Sequence, residues 1–404
     1  MNSENTIYKE DDLVTLNIKS FNKMGLAISN LSGKTVEILG GIPQEKVEVR
    51  LLRIYPDKII AIVNKVIEPS EYRVIAPCVE FLKCTGCQWQ HIDYKYQLIL
   101  KKEIVIDELN RYEKLSNVLI NSTLPSVHEL NYRNHSRFTV RSKNSPGEVG
   151  FINSSTRKFV KISECLLMNR KINSILSEIQ DNMDGFSQVS IRGSDKTDSF
   201  LVQPNLGEKE FSFESGQTHY LEKIFDREYN VASPSFFQVN ISQLENIINI
   251  SKKLLNFDGS GTLVDAYSGV GVFGSLFSNF VEKVICIEES ASAIIDGIKS
   301  NGDLKNIQYI QKKTEHALLE FNEEIKYLIL DPPRVGCHID VLKAVKRIKP
   351  SKILMISCDP TSMMRDLNVL VSDDFYSIDS ITPIDMFPQT RHIECVAILK
   401  LNNV

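Results

Sequence analysis

From about residue 233 onward, apolar segments of strand length alternate with segments of helical periodicity. This alternation restricts the possible folds more than any other feature of the sequence. The predicted strands are 262–265, 283–288, 327–331, 352–357 and 393–399, and the first of them follows an amphipathic helix at 244–255. Strands that alternate with helices form parallel sheets with helices on both faces. The second half of the chain is therefore predicted to be an α/β domain with a doubly wound, Rossmann-like sheet.

A glycine-rich segment follows the first predicted strand and opens a helix. Gly269, Gly271 and Gly274 have the spacing of a dinucleotide-binding fingerprint, and Glu288 ends the next strand, where it can accept ribose hydroxyls. Asp265 stands just before the glycines. Its carboxylate would repel a pyrophosphate but not the cationic sulfonium of S-adenosylmethionine. The residues alone leave a nicotinamide cofactor and S-adenosylmethionine open, and Asp265 favours the second.

Reactive side chains are expected at the carboxyl end of this sheet, where open α/β sheets bind their ligands. The strand at 352–357 ends at Cys358, and Pro360 prevents its continuation. Cys358 is thus a candidate nucleophile, although a single cysteine is more often a small core residue. Asp331 begins a loop stiffened by two prolines at the same edge, and Glu394 precedes the last predicted strand.

Four of the eight cysteines form a separate pattern. Cys78, Cys84 and Cys87 lie within ten positions, and Cys165 follows far downstream. The polar N-terminus and the absence of a long apolar run predict a cytoplasmic protein, in which cysteines bind metals more often than they form disulfides. Thiolates select zinc or iron–sulfur clusters, and this spacing differs from the paired Cys-x-x-Cys of ordinary zinc sites. The sequence therefore predicts a single metal centre.

Two segments of the first half are candidates for contact with nucleic acid. Residues 11–68 contain short alternating runs separated by turn residues, which predicts a small β-barrel of the oligonucleotide-binding type, and residues 69–77 are a predicted linker. The net charge of −4 gives no overall attraction to nucleic acid, so any such surface must be local. Residues 131–161 contain one acidic side chain and many basic ones. They could bind phosphates, or they could be an ordinary solvated sheet face.

Together these segments resemble the RNA uracil-5-methyltransferase family, in particular its iron–sulfur ribosomal RNA branch. The most specific segments are 234–240, 265–271, 331–336, 357–360 and 385–394. The resemblance covers nearly the whole chain and implies three domains. These are a TRAM/OB-like β-barrel at 1–68, a β-rich iron–sulfur and RNA-binding domain at 69–230, and a class I methyltransferase domain at 231–404.

The resemblance also implies roles for individual residues. Cys358 would be the nucleophile and Glu394 the base. The residues expected to bind S-adenosylmethionine are Gln238, Tyr267, Glu288 and Asp331. The expected ligands of a four-iron four-sulfur cluster are Cys78, Cys84, Cys87 and Cys165. Asp359, Gln389 and His135 depart from the family's usual Asn, His and Lys, and Asp359 is expected to disfavour ionisation of the neighbouring thiol.

The implied activity is methylation of carbon 5 of a uridine in 23S ribosomal RNA, and we expect a monomeric cytoplasmic enzyme. A thiolate that adds to carbon 6 of uracil creates an enolate, which can attack a methyl sulfonium. A carboxylate must then remove the carbon-5 proton, and the target base must leave its stack to reach the cleft. Transfer RNA is the alternative substrate. A nicotinamide-dependent dehydrogenase and a non-enzymatic RNA-binding module with a vestigial methyltransferase fold are alternatives from other classes.

Overall fold

The computed structural model describes residues 8–143, 145–207 and 209–402. At the N-terminus, the described strands form a curled six-stranded sheet in the order β1-β5-β6-β4-β3-β2. Their bounds are β1 (Leu13–Asn17), β2 (Ser20–Phe21), β3 (Ala27–Leu31), β4 (Lys34–Leu39), β5 (Lys46–Ile54) and β6 (Lys58–Glu68). Alternate residues of β5, namely Val47, Val49 and Leu51, are fully buried. This period of two lets one face of the sheet form a core while the other meets water.

The N-terminal sheet is joined to the segment after it by a buried carboxylate, that of Glu45. Its two oxygens accept hydrogen bonds from the guanidinium of Arg73, with Nη2 at 2.6 Å, and from the amides of Ile42 (2.9 Å) and Ser70 (3.1 Å). Burial alone would raise the pKa of Glu45, but Arg73 and these amides outweigh it and lower the pKa. The predicted linker is therefore fixed to the sheet by a charge-assisted network.

The sequence predicts a helix over 89–109 with Tyr94, Leu98, Ile99 and Val105 on one apolar face. The first long helix, α1 (Tyr94–Leu109), begins later than that. Asp93 sets its start, since its side chain accepts hydrogen bonds from the amides of the first turn. The expected apolar face, which included Ile99, is wrong there because Ile99 is 49% exposed. Gln97 and Lys101 are buried instead, and both find polar partners in the C-terminal half of the chain.

The middle of the chain forms a five-stranded sheet, in the described residues, with the order β11-β10-β7-β8-β9. Its elements are β7 (His135–Arg141), β8 (Glu148–Ile152), β9 (Phe159–Lys161), α2 (Arg170–Ile179), β10 (Gln188–Gly193) and β11 (Phe200–Gln203). One stripe of α2, which includes Ile172 and Leu176, packs against Phe138 and Ile191 in a single apolar core. The opposite face of β7 and β10 is left for polar side chains.

A hairpin leads into the C-terminal half, where the elements follow the predicted alternation. The elements are β12 (His219–Ile224), β13 (Arg227–Ala232), α3 (Ile241–Leu255), β14 (Thr262–Ala266), α4 (Val272–Phe277), β15 (Lys283–Glu288), α5 (Ala291–Ser300), β16 (Ile307–Gln311), α6 (Thr314–Leu319), β17 (Tyr327–Leu330), α7 (Ile339–Ile348), β18 (Lys352–Ser357), α8 (Pro360–Leu370), β19 (Tyr376–Ile384) and β20 (Glu394–Leu401). Side chains of the hairpin, such as Tyr220 and Tyr229, join the apolar core on one face of the sheet.

The C-terminal sheet confirms the predicted α/β fold. Its seven described strands run in the order β16-β15-β14-β17-β18-β20-β19, and apolar cores lie on both faces. Strands β14 to β18 pair in parallel, whereas β20 is antiparallel to both of its neighbours. A dinucleotide-binding sheet instead continues in parallel in the order 3-2-1-4-5-6. In the described ranges, no helix combines the length and apolar character needed to cross a membrane.

Two strands, β16 and β19, are missing from the sequence prediction for identifiable reasons. Strand β16 lies at an edge of the sheet, and its residues alternate between half-buried and exposed, so no apolar run marks it. Strand β19 contains Pro383 and a shift of register between Ile378 and Ser380. Proline and bulges are typical of edge strands, and they remove the regular alternation on which the prediction depends.

We expect Glu45→Gln to lower the free energy of unfolding by about 1–3 kcal/mol, because it leaves the guanidinium of Arg73 without its charged acceptor. The pKa of Glu45 is lowered by folding, so its stabilisation is present above the unfolded value and is lost as the pH falls through the folded value. Urea unfolding at pH 7 and below pH 4.5 measures both effects. The control is Glu48→Gln, whose carboxylate bonds only an exposed amide of Asn64; an equal loss in this variant would contradict the prediction.

Candidate active site

The sequence-predicted site residues meet at one edge of the C-terminal sheet. Tyr267 follows β14, Asp331 follows β17 and Cys358 follows β18, all at the carboxyl ends of parallel strands. Glu394 is the first residue of β20 and does not belong to the loop before that strand. Its side chain is buried, with 3% exposed. Ser357 pairs with Cys395 across β18 and β20. Because β18 and β20 are antiparallel, one step beyond this pair brings Cys358 opposite Glu394.

The loop between β14 and α4 is shaped by positive backbone φ angles. They are 64° at Tyr267, 55° at Gly269 and 79° at Gly271, in the region that glycine adopts most readily. A Cβ atom at Gly271 would lie 2.5 Å from the hydroxyl of Tyr309. A side chain at that position would therefore force the loop away from the sheet edge.

A carboxylate lies directly beneath this loop. Asp265 is 1% exposed; its Oδ2 accepts a hydrogen bond from the amide of Gly274 at 2.8 Å, while Oδ1 has no partner in the described chain. Burial, aided by the nearby Asp331 and Glu288, raises the pKa of Asp265 to about 7. An orphaned acceptor of this kind suits a cationic ligand and disfavours a pyrophosphate. It is the observation that best fits the loop to S-adenosylmethionine.

Glu288 is fixed by the main chain around it. Its oxygens accept hydrogen bonds from the amides of Gly269 (2.9 Å) and Ser290 (2.8 Å), and each oxygen retains a lone pair for a ligand hydroxyl. Glu288 and Tyr267 line the same cleft of about 570 Å³, which continues along the loops after β16 and β17. Gln238 lies just before α3, outside this lining, and its carbonyl accepts a hydrogen bond from Asn134 at 3.2 Å.

The proposed nucleophile and base lie among carboxyl groups and one cation. Burial, followed by Glu394, raises the pKa of the Cys358 thiol to about 11, and the guanidinium of Arg334 opposes both. Burial also raises the pKa of Glu394 well above its usual range, with Asp331 acting in the same direction and Arg334 again opposed. Burial raises the pKa of Asp331 to about 7. Arg334 thus supplies a positive charge that lowers the pKa of both Cys358 and Glu394.

Arg334 is the residue of this site that the sequence analysis missed. It lies within the segment 331–336, where the two prolines and Asp331 attracted attention. The alternation between charged and apolar residues gives no reason to single out an exposed arginine in a loop. The sequence did contain one indication of its role. Arg334 stands three positions after Asp331, on a loop at the carboxyl edge of the sheet.

The side chain of Asp359 caps the N-terminus of the helix that follows it. Its Oδ1 accepts a hydrogen bond from the amide of Thr361 at 3.0 Å, and it caps α8. The leading influences that raise the pKa of Cys358 are burial and Glu394. The sequence analysis expected Asp359 to disfavour ionisation of the Cys358 thiol. In the structure, the carboxyl group that does so most strongly is that of Glu394, on the neighbouring strand.

The four cysteines of the predicted metal centre converge from two segments. Cys84 and Cys165 pack against the same apolar core of the middle sheet. Gln90 accepts a hydrogen bond from the amide of Cys78 at 3.2 Å and also contacts the thiol of Cys87. Burial raises the pKa of Cys84 to about 11, and Cys165 and Cys78 add to this shift. In the described ranges these thiols form no disulfide, and no three His, Cys, Asp or Glu residues are arranged to hold a metal ion.

Comparison with known proteins agrees with this geometry. Residues 209–402 match the sequence profile of the tRNA (uracil-5-)-methyltransferase family. An uncharacterized RNA methyltransferase of Synechocystis is 29% identical over 98% of this chain and 97% of its own length. One from Aquifex aeolicus is 29% identical over 98% of this chain and all of its own.

A solved structure shares the fold along nearly the whole chain. It is the Pyrococcus abyssi tRNA (uracil-54, C5)-methyltransferase in complex with S-adenosyl-L-homocysteine, which is 24% identical and superposes with a TM-score of 0.71 over 96% of this chain and all of its own. At this identity the likeness establishes the fold alone. Together with the profile over residues 209–402 and the full-length relatives, it makes this chain similar to the RNA uracil-5-methyltransferases and supports an S-adenosylmethionine-dependent RNA methyltransferase.

Proposed function

We propose that this enzyme methylates carbon 5 of a uridine in 23S ribosomal RNA, with Cys358 as the nucleophile and Glu394 as the base. The observation that carries this proposal is the register of β18 and β20, which sets the two residues side by side at the ligand-binding edge of the sheet. A thiol and a carboxyl group are the minimum set for methylation at carbon 5 of uracil.

In the proposed reaction, the Cys358 thiolate adds to carbon 6 of the extruded uracil, and the resulting enolate presents carbon 5 as the nucleophile. S-adenosylmethionine, when bound, supplies an electrophilic methyl group. Glu394 then accepts the carbon-5 proton, the bond between carbon 6 and sulfur breaks, and Cys358 leaves as a thiolate. Arg334 stabilises the Cys358 thiolate in the first and last steps of this reaction, because its positive charge opposes the increase in pKa that burial causes.

We place S-adenosylmethionine against the loop that follows β14. Glu288 and Tyr267 line the cleft that would hold the nucleoside part, and we assign the orphaned oxygen of Asp265, beneath the same loop, to the side of the cationic part. Asp331 and Gln238 complete the proposed set from the same sheet edge and from the segment before α3. This placement accounts for the glycines of the loop and their positive φ angles. Glycine lets the backbone approach a bound ligand closely.

Ribosomal RNA is the proposed substrate because the cysteine pattern matches the ribosomal branch of the family. Transfer RNA is the second candidate, favoured by the name of the matching profile and by the Pyrococcus abyssi enzyme. The proposed RNA surface is the basic face of β7 and its neighbours. Arg137 is exposed there, and its guanidinium has no ion-pair partner among residues 8–402 that are described, whereas Arg141 pairs with Glu148 and Lys161 with Asp181.

The experiment that separates the two substrates uses RNA from cells without the gene. Ribosomal and transfer RNA are purified from such cells, each is incubated with the enzyme and methyl-labelled S-adenosylmethionine, and 5-methyluridine is mapped in the products. Label in 23S RNA alone is the expected result. Label confined to transfer RNA would replace the proposed substrate with the second candidate.

We also propose that Cys78, Cys84, Cys87 and Cys165 bind a four-iron four-sulfur cluster in a monomeric cytoplasmic enzyme. The support is the chemistry of the donors, four thiols from two segments of the chain, and the match of their spacing to the iron–sulfur branch. Ligation requires thiolates, so binding of the cluster would release the protons that the raised pKa values retain. No step of the methylation is assigned to this centre.

For the cluster, we expect protein purified without oxygen to be brown and to contain about four irons per chain. Iron and sulfide analysis, with the visible absorption spectrum, makes the measurement. Cys165→Ser should lose the colour, and Cys395→Ser, at a buried cysteine outside the set, should retain it. Stoichiometric zinc without iron would contradict the proposal.

For the cofactor site, we expect Glu288→Ala and Asp331→Ala each to weaken S-adenosylmethionine binding by about 10- to 100-fold, since a lost hydrogen bond to a charged group costs about 1.5–3 kcal/mol. Titration calorimetry on the free enzyme makes the measurement. The control is Glu282→Ala, whose carboxylate accepts a hydrogen bond from Gly261 at the opposite end of the sheet. Unchanged affinity in both test variants would refute the placement.

For the catalytic pair, we expect opposite effects on the covalent adduct between enzyme and RNA. Cys358→Ala should form neither adduct nor product, because the nucleophile is missing. Glu394→Gln should accumulate an adduct of methylated RNA on Cys358, because proton removal is blocked after methyl transfer. Denaturing gels with methyl-labelled S-adenosylmethionine measure the adduct. Full turnover by Glu394→Gln, or an adduct with Cys358→Ala, would reject the assigned roles.

A further inference from the structure

We propose that Lys101, through its ion pair with Asp385, is a positioning residue for the base Glu394. The inference rests on the role proposed above for Glu394. Residues 385–393 connect β19 to β20 without regular secondary structure. The connection is closed at the sheet by the pairing of Ile384 with Glu394. Its shape therefore depends on the side chains that hold it, and Glu394 is the first residue beyond its end.

The connecting loop is held by its main-chain oxygens. Four consecutive residues accept hydrogen bonds from side chains that lie elsewhere in the chain. The pairs are Asp385 from Gln243 (3.1 Å), Met386 from Asn240 (3.2 Å), Phe387 from Lys101 (3.1 Å) and Pro388 from Tyr132 (3.1 Å). A loop whose successive carbonyls are all engaged in this way has little freedom to shift.

Helix α1 contributes two of the residues that hold the loop. Gln97 and Lys101 are one helical turn apart, and both are fully buried. Gln97 donates from Nε2 to the side-chain oxygen of Gln389 at 3.0 Å and accepts the amide hydrogen of Gln389 at 3.1 Å. Lys101 pairs with Asp385. One face of α1 therefore binds both the beginning and the middle of the loop.

The ion pair is poorly explained as a source of stability. Both side chains are 0% exposed, and burial lowers the pKa of Lys101. The desolvation of two buried charges can exceed their attraction, and apolar replacement of both partners is often neutral for folding. Oδ2 of Asp385 also has no hydrogen-bond partner in the described residues. What the pair does supply is a fixed position for the start of the loop.

Displacement of this loop should affect the base more than the nucleophile. Cys358 lies between β18 and α8, and β18 is paired with β17 as well as with β20, so Cys358 has a support on the side away from the loop. Glu394 follows the loop directly. A shifted loop should thus leave attack and methyl transfer in place while it slows removal of the carbon-5 proton. This pattern differs from that of a general loss of folding or of cofactor binding.

The test compares four variants by their covalent adducts. The first variant combines Lys101→Met with Asp385→Leu. This double substitution removes the ion pair without leaving an unpaired buried charge. The second is Gln97→Leu, and the control is Lys102→Met on the same helix. Glu394→Gln serves as the reference. Each is incubated with the RNA, from cells without the gene, that the unmodified enzyme methylates, together with methyl-labelled S-adenosylmethionine, and is then denatured.

We expect turnover in the first two variants to fall by on the order of 10- to 100-fold, as for a displaced catalytic group, while the adduct accumulates and S-adenosylmethionine affinity is unchanged. Lys102→Met should behave like the unmodified enzyme. If Glu394→Gln itself traps no adduct, the role proposed for Glu394 fails. If Glu394→Gln traps an adduct but the double variant does not, the positioning role is overturned. Should the double variant unfold, Gln97→Leu decides the question in the same way.

Discussion

The buried ion pair between Lys101 and Asp385 joins the two halves of the molecule at the loop that precedes Glu394. It connects a helix near residue 100 to a loop near residue 390, and the last described strand, β20, follows this loop. A helix held only by apolar contacts could slide along the sheet, since apolar packing is non-directional. A charge pair surrounded by engaged carbonyls fixes one position. The middle of the chain is therefore part of the structure that shapes the active site.

Burial has a second consequence at the sheet edge. Asp265 and Asp331 have pKa values raised to about 7, and the pKa of Glu394 is raised well above its usual range. Desolvation is the first cause in each case. Carboxyl groups this close together cannot all ionise without mutual repulsion. A cationic methyl donor and the guanidinium of Arg334 both compensate negative charge here, so the site favours a sulfonium over a diphosphate.

The sequence was sufficient for the α/β fold and for the meeting of Cys358 and Glu394 at one edge. Apolar strands that end in polar residues locate the edge, and strand order then follows from topology. What could not be predicted depends on contacts distant in sequence. The burial of Lys101 is an example, because a lysine on a helix is normally exposed. Its partner lies 284 positions away, and local periodicity contains no information about it. Arg334 was missed for a similar reason, as its importance arises from its neighbours.

The raised pKa of Cys358 bears on how the proposed nucleophile is controlled. At about 11, the thiol of the free enzyme is protonated at neutral pH, and a protonated thiol is a weak nucleophile. Of the charged groups that influence the thiol, Glu394 and Asp331 oppose ionisation and Arg334 favours it. In the proposed mechanism, reactivity therefore depends on a change in the balance among these charges. An extruded base that enters between them would separate Cys358 from Glu394. The thiolate would then form where the uracil is already in place, and a free thiolate would not be exposed to water between turnovers.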